Sequence, residues 1–388
     1  MVYEKKELPD KVQKIGFLLT GIGLVLVLVS YFINPAREAF NNIIGLMFFG
    51  SIAIGALVLV ALEYLSGAVW STPFRRVSEF IASSLPIMLL FAIPLFFMMH
   101  TLFHWTHTEV VETDAILSGK TPYLNIPFFI GRTIGVVALF YVFYLVFVRN
   151  STKQDTTKDQ KLTKTNVKLS AVFMFFAGIG LTVLAVDWMM SLEPHWFSTI
   201  FGIYFISATL LAGLAATTFT AVSLNEGGYL VKGLTQDHYY SLGALMFAIT
   251  NFWAYIAFSQ FLLIWYANIP EETYWFVARW EGGWGFVSVL LMIARFAIPY
   301  AALLSQPSKS DPKNLQRVSI FILFAHFIDL YWLVMPTFSK TIVFGFYEIG
   351  FPILSIGIIM LVFYAQAKKK NLAPIGDPKL QRGIDFHL

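Results

Sequence analysis

Apolar residues in this chain fall into long unbroken blocks and not into short amphipathic periods. Ten such blocks cover residues 15–33, 43–65, 77–99, 126–148, 169–190, 197–221, 239–264, 284–304, 317–335 and 342–367. A membrane span needs about 20 mostly apolar residues, because the hydrocarbon is about 30 Å thick and a helix rises about 1.5 Å per residue. Barrel strands are about half that length, and lipid cannot satisfy an open backbone. The pattern therefore predicts an all-α polytopic membrane protein, one integral membrane domain over residues 1–388 with about ten transmembrane helices.

The polar connections predict the orientation. With the N-terminus inside, 21 of the 27 Lys and Arg fall in inner segments and 4 in outer ones, Arg37, Lys120, Arg279 and Lys340. Lys/Arg-rich loops stay on the cytoplasmic side, so both termini are expected there, including a cytoplasmic tail at 368–388. Lys5, Lys6, Lys11 and Lys14 precede the first block, which is too long for a signal-peptide core and reads as an uncleaved signal-anchor. Residues 150–167 are polar and lack aromatics, and read as a mobile inner linker. The outer connections 101–125 and 267–283 are aromatic and acidic, which suits either interfacial anchoring or docking of an outer partner.

Composition agrees: 57% of residues are hydrophobic and 13% charged, where a soluble domain carries about 25% charged residues. The net charge of +4 does not indicate nucleic acid, because the basic residues sit between spans, where they face water and anionic lipid. The chain has no cysteine. Thiolate-held iron–sulfur clusters, c-type haem attachment and disulfides are thereby excluded. Any electron carrier near this chain belongs to a partner or is a small molecule such as a quinone.

A weak repeat runs through the blocks. Phe49-Gly50 matches Phe201-Gly202, and DWMMSLEP (187–194) matches DLYWLVMP (329–336), each with Asp seven residues before Pro. Two four-helix bundles are expected, over 43–190 and 197–335, flanked by helix 1 at 15–33 and helix 10 at 342–367.

Charges inside the membrane are costly and tend to be paired and functional. In the outer half these are Asp187, His326, Asp329 and Glu348, balanced by Arg132 or Arg295, with His100, His104, Glu193 and His195 nearer the surface. They are expected to line a polar cavity between the bundles that binds a quinol headgroup or carries protons outward. His326 and Asp329 stand three apart and so share a helix face, an arrangement suited to accepting protons. Buried pairs that fix helix register would use the same residue types. Glu348 is placed about a third of the way into the tenth helix. His100, His104 and His107 would line one face, but a single helix at the water boundary is a poor haem or metal site, and no metal is expected. On the inner side Glu63, Arg75, Arg76 and Glu79 cluster as a cap joining the second and third helices, or as the inner mouth of a proton path, with Asp237-His238 a further member.

The stretch DWMMSLEPHWFSTIFGIYF (187–205), the ten-helix plan and the repeat together resemble the NrfD/polysulfide-reductase-type membrane subunits, in particular the shorter, ActF-type subunit of bacterial alternative complex III. The resemblance implies a quinol:electron-acceptor oxidoreductase in the bacterial cytoplasmic membrane. It implies an iron–sulfur subunit, a multihaem cytochrome c subunit and a second, longer NrfD-like subunit as partners. Haem and clusters would lie in those partners, this chain would hold no redox cofactor of its own, and menaquinone or ubiquinone would be the small-molecule substrate. Two other classes suit the same sequence: a secondary transporter with a mid-membrane Arg295/Glu348 site, or a purely structural membrane anchor.

Overall fold

The computed structural model describes residues 6–388. Among them, ten helices are long and apolar enough to cross a membrane. They are α1 (Asp10–Ile33), α2 (Pro35–Ser66), α3 (Thr72–Phe97), α4 (Ile126–Thr157), α5 (Gln160–Leu192), α6 (Phe201–Glu226), α7 (Gln236–Ala267), α8 (Trp284–Ala302), α9 (Pro312–Phe338) and α10 (Phe346–Lys369). The chain is an all-helical multi-pass membrane protein, and no strand occurs among the described residues.

Several ends differ from the hydropathy pattern. α2 begins at Pro35, ahead of position 43, because the Asn34 side chain accepts the Arg37 N–H at 3.0 Å and Pro35 occupies the first turn. The polar stretch 150–167 is not a mobile linker. Only Lys158 and Asp159 separate α4 from α5: Lys158 ends α4 at φ 53°, and Asp159 caps α5 through the Lys161 N–H at 2.9 Å. The polar side chains of this helical hairpin satisfy one another, Asn150 with Asn166 at 2.8 Å and Gln154 with Thr163 at 2.7 Å. α10 begins at Phe346, which places Glu348 in its first turn and not a third of the way along.

Two spans are irregular. α3 breaks at Ser83–Ser84, whose hydroxyls return to the carbonyls of Phe80 and Ile81 ahead of Pro86. α8 widens into a π turn over Ile293–Ala297 around Arg295, which stands four residues before Pro299, whose missing N–H cannot bond the Arg295 carbonyl.

α2 and α6 form the centre. α2 packs against α3, α5, α6, α9 and α10, and α6 against α5, α7 and α9. Helices α2–α5 and α6–α9 are two successive sets of four along the chain. The sets meet where Gly55 crosses Gly213: a Cβ on Gly55 would lie 2.3 Å from the Thr209 carbonyl oxygen, and one on Gly213 2.3 Å from the Gly55 carbonyl carbon. Small residues permit such approach in lipid, where tight packing replaces the hydrophobic drive. α1 runs antiparallel to α10 by the same device. Gly16 and Gly23 of α1 and Gly350 and Gly357 of α10 face the partner helix, and a Cβ on Gly23 would lie 2.5 Å from Leu354 N.

Tyr364 near the end of α10 donates to Asp10 at the start of α1 at 2.9 Å, so the two ends share one side, the terminal face. There the tail folds back across the hairpins: Gly376 N–H donates to Asp155, Arg75 binds Asp377, and His238 binds the Gly383 carbonyl. The opposite side is the far face, built from the connections after α3, α5, α7 and α9.

Candidate functional site

Each helix set carries an arginine on its third helix and an aspartate on its fourth. In the first set Arg132 of α4 meets Asp187 of α5, donating from Nε at 2.8 Å and from Nη2 at 3.0 Å. Its third nitrogen, Nη1, donates to the Tyr123 carbonyl at 2.8 Å, and the guanidinium lies 3.8 Å from the Tyr123 ring centre and 4.3 Å from that of Phe128. Asp187 is buried, yet both of its oxygens are engaged. This fork-to-fork pairing is the strong geometry for a carboxylate and a guanidinium.

In the second set the same two residue types meet loosely. Arg295 of α8 stands with Nε 3.8 Å from Asp329 Oδ2 of α9. Its other nitrogens make only long contacts, to the carbonyls of Ile322 at 3.4 Å and Ala208 at 3.5 Å. Asp329 Oδ1 accepts a hydrogen bond from the Tyr204 hydroxyl of α6, and the Arg295 guanidinium lies 5.2 Å from the Trp253 ring centre of α7. Arg295, His326 and Asp329 are all 0% exposed. Five polar atoms in this region make no hydrogen bond within the protein: Arg295 Nε, Asp329 Oδ2, both His326 ring nitrogens and Thr250 Oγ1. An unmade buried hydrogen bond costs about 1–3 kcal/mol, more for a charged group, so such a concentration calls for water or a ligand to complete it.

The structure divides the expected outer cluster. His326 does not hydrogen-bond Asp329 despite the spacing of three. Its ring turns toward the first helix set and stacks on Phe48 of α2 at 5.9 Å and 26°. Glu348 joins neither Arg132 nor Arg295. It accepts two hydrogen bonds from Arg37, both 2.8 Å, one from Asn41 at 3.2 Å and one from its own helix-capping Gly345 N–H at 2.7 Å. By hydropathy Arg37 lies in a loop, and the early start of α2 is what brings it to Glu348.

The far-face connections cover both sets. Asp114 caps a short helix, Ala115–Lys120, and accepts from His195 at 2.5 Å; that bond and the helix N–H groups hold its carboxyl below the usual range. Lys120 reaches the Pro194 carbonyl, and its ammonium is pushed down by burial. Over the second set Arg279 is 1% exposed, bound to the carbonyls of Trp275, Trp332 and Leu333 and to Glu193 at 3.5 Å. Trp275 stacks on Trp196 at 4.4 Å. His100 and His104 are exposed at the edge; His107 hydrogen-bonds the His100 carbonyl at 2.8 Å. Among the described residues no three His, Cys, Asp or Glu are grouped to hold a metal.

On the terminal face Glu63, Arg75, Arg76 and Glu79 do come together. Arg75 bridges Glu63 at 3.0 Å, Glu79 at 3.3 Å and Asp377 at 2.8 Å; Arg76 bridges Glu79 at 3.1 Å and Asp155 at 2.9 Å. Asp155 and Asp377 come from the α4–α5 hairpin and the tail, which the sequence pattern reads as a mobile inner linker and a cytoplasmic tail. A cavity of about 290 Å³ reaches Glu63 and Arg75 from between α2, α3, α6 and α7. His238 stands apart from this cluster: it caps α7 with Thr235 and anchors the tail.

The fold and sites define a polytopic helical membrane protein with one satisfied and one unsatisfied buried acid–base pair. No protein-family profile and no curated protein matches the chain.

Proposed function

We propose that this chain is a membrane subunit of a quinol:electron-acceptor oxidoreductase of the alternative complex III type. It would sit in the bacterial cytoplasmic membrane with its terminal face in the cytoplasm, as the excess of Lys and Arg on that side favours. Its partners would be an iron–sulfur subunit, a multihaem cytochrome c subunit and a longer membrane subunit of the same type. Its contribution is proton conduction, quinol binding, or both.

The observation that carries this is the unsatisfied cluster at Asp329. Oxidation of a quinol to a quinone sends two electrons to the partners' carriers and releases two protons, which need acceptors inside a water-poor protein. The Tyr204 hydroxyl hydrogen-bonded to Asp329 gives a donor–acceptor pair across which a proton can shift. Arg295 at 3.8 Å balances the carboxylate without occupying it. Donors and acceptors at Thr250 and His326 are left open to water or to a substrate oxygen. A transporter site built on Arg295 and Glu348 loses its acidic half, since Glu348 is committed to Arg37.

An affinity-tagged chain purified from native membranes tests the class. The respiratory reading expects haem absorbance, iron–sulfur protein and quinol-oxidising turnover in the same fraction. A chain that purifies alone, without haem and without turnover, refutes it.

A further inference from the structure

Away from these clusters, a slot of about 580 Å³ opens between α1, α2, α3 and α10. Its walls are almost wholly apolar, among them Leu28 of α1, Phe91 of α3 and Phe351 of α10, and Phe32 and Leu90 stand exposed at its rim. The slot therefore opens sideways, toward lipid. It exists because α1 packs on α10 through glycines and stands off α3.

One end of the slot is polar. Asn42 is 1% exposed, and its Oδ1 has no partner. Its Nδ2 donates to the Tyr31 hydroxyl at 2.9 Å, and that hydroxyl donates to no described group. One turn earlier on α2, outside the slot's lining, Glu38 is 0% exposed, with the Asn41 amide beside its carboxylate. Thr20, also in the wall with an unpartnered Oγ1, lies eleven residues before Tyr31, or about 16 Å along α1. The slot thus offers a donor, the Tyr31 hydroxyl, and a free acceptor, Asn42 Oδ1, at one end and a long apolar wall leading from it.

Charge selects the occupant. A phospholipid headgroup would bring a phosphate to a site with a buried carboxylate nearby and, among the described residues, no free cation beside it. Arg37 is held by two hydrogen bonds to Glu348 and lies 4.3 Å from the Tyr347 ring centre. A neutral ring bearing oxygens fits in either redox state: a quinone carbonyl accepts from Tyr31, and a quinol hydroxyl donates to Asn42 Oδ1. We propose that this slot binds a prenylated quinone or quinol, its ring at Tyr31 and Asn42 and its chain running between α1, α3 and α10. The choice of a quinone rests on the respiratory reading; the slot is separate from the Asp329 cluster.

The test uses the purified complex and a photoactivatable azidoquinone with an isoprenoid tail, the cross-link mapped by peptide mass spectrometry. Labelling should concentrate on α1 and α3 peptides that line the slot. It should fall about tenfold in Leu28→Trp, which fills the slot, and in Asn42→Leu, which removes the ring contact. Leu28 is half exposed, so its variant is expected to assemble even where Asn42→Leu does not. Labelling unchanged in an assembled variant overturns the proposal. So does a photoactivatable phosphatidylethanolamine that labels the slot in the quinone's place. Wild-type turnover, measured in parallel, separates the two ideas. Turnover without slot labelling removes the slot and keeps the respiratory reading. Slot labelling without turnover keeps a quinone site and removes that reading.

Discussion

Arg132–Asp187 and Arg295–Asp329 hold matching places in the two helix sets, but their surroundings differ. The first pair is a closed clamp, with both carboxylate oxygens and all three guanidinium nitrogens engaged. The second is open: the ion pair is long, Asp329 Oδ2 accepts no hydrogen bond, and Arg295 makes only marginal contacts to backbone. Part of the reason is local backbone. Arg132 sits on a regular helix beneath the Tyr123 carbonyl, whereas Arg295 sits on the π turn before Pro299. Recurrence of a charged pair therefore says little about its role. Satisfaction of its hydrogen bonds separates a pair that holds helices together from one that leaves capacity for chemistry.

The largest expected effect tests the open pair. Asp329→Asn keeps the shape and removes the proton acceptor. Quinol turnover of the assembled complex should fall on the order of a hundredfold, with an altered pH profile, while yield stays near wild type. Asp187→Asn should do the reverse, losing yield while the assembled fraction keeps its turnover. If both variants behave alike, the distinction between the pairs is wrong.

A smaller effect tests the clamp. Arg132→Leu leaves Asp187 buried and unpaired, and removing one partner of such a pair costs about 3 kcal/mol or more. The melting temperature of the purified complex should drop clearly. Arg295→Leu should lower it less, because less pairing is lost, and should reduce turnover more. Equal thermal losses would mean that the Arg295 contact is stronger than its 3.8 Å separation implies.

The smallest effect concerns the coverings of the two sets. Asp114, held below the usual carboxylate range by His195 and helix N–H groups, stabilises the covering of the first set wherever it is ionised. That contribution is present above the unfolded pKa of about 4 and is lost as pH falls through the lower folded value. Arg279, over the second set, is bound largely to carbonyls, which do not titrate. Hydrogen exchange of 108–120 should rise below pH 4 before that of 270–278 does. Simultaneous loosening would show that the Asp114–His195 contact does not hold the first covering.

The spans were legible because each is a block of about twenty apolar residues. Their polar ends were not. Pro35–Asn42 and 150–167 look like loops to a hydropathy pattern, yet they are helical because their polar groups find partners inside the protein. Within the outer cluster, the placement and the repeat set Asp187 and Asp329 at matching depth and offered Arg132 or Arg295 as partners, but not which arginine meets which acid. The partner of Glu348 could not, since Arg37 lies 311 residues away in sequence. Tyr204 and Trp253 carried no signal at all, being two aromatics among many in apolar spans. Asp155 and Asp377 were equally hidden on the terminal face.

What the sequence by itself determined is the number of spans, the all-helical class, the orientation bias and the types of charged residue within reach of the membrane. These follow from local quantities, namely run length, hydropathy and loop charge. Tertiary structure alone decided which charge meets which and which polar atoms remain unpaired. Those outcomes depend on how helices hundreds of residues apart are rotated and how closely they approach. At Gly55 and Gly213, and along the α1–α10 seam, that closeness is set by the absence of a Cβ.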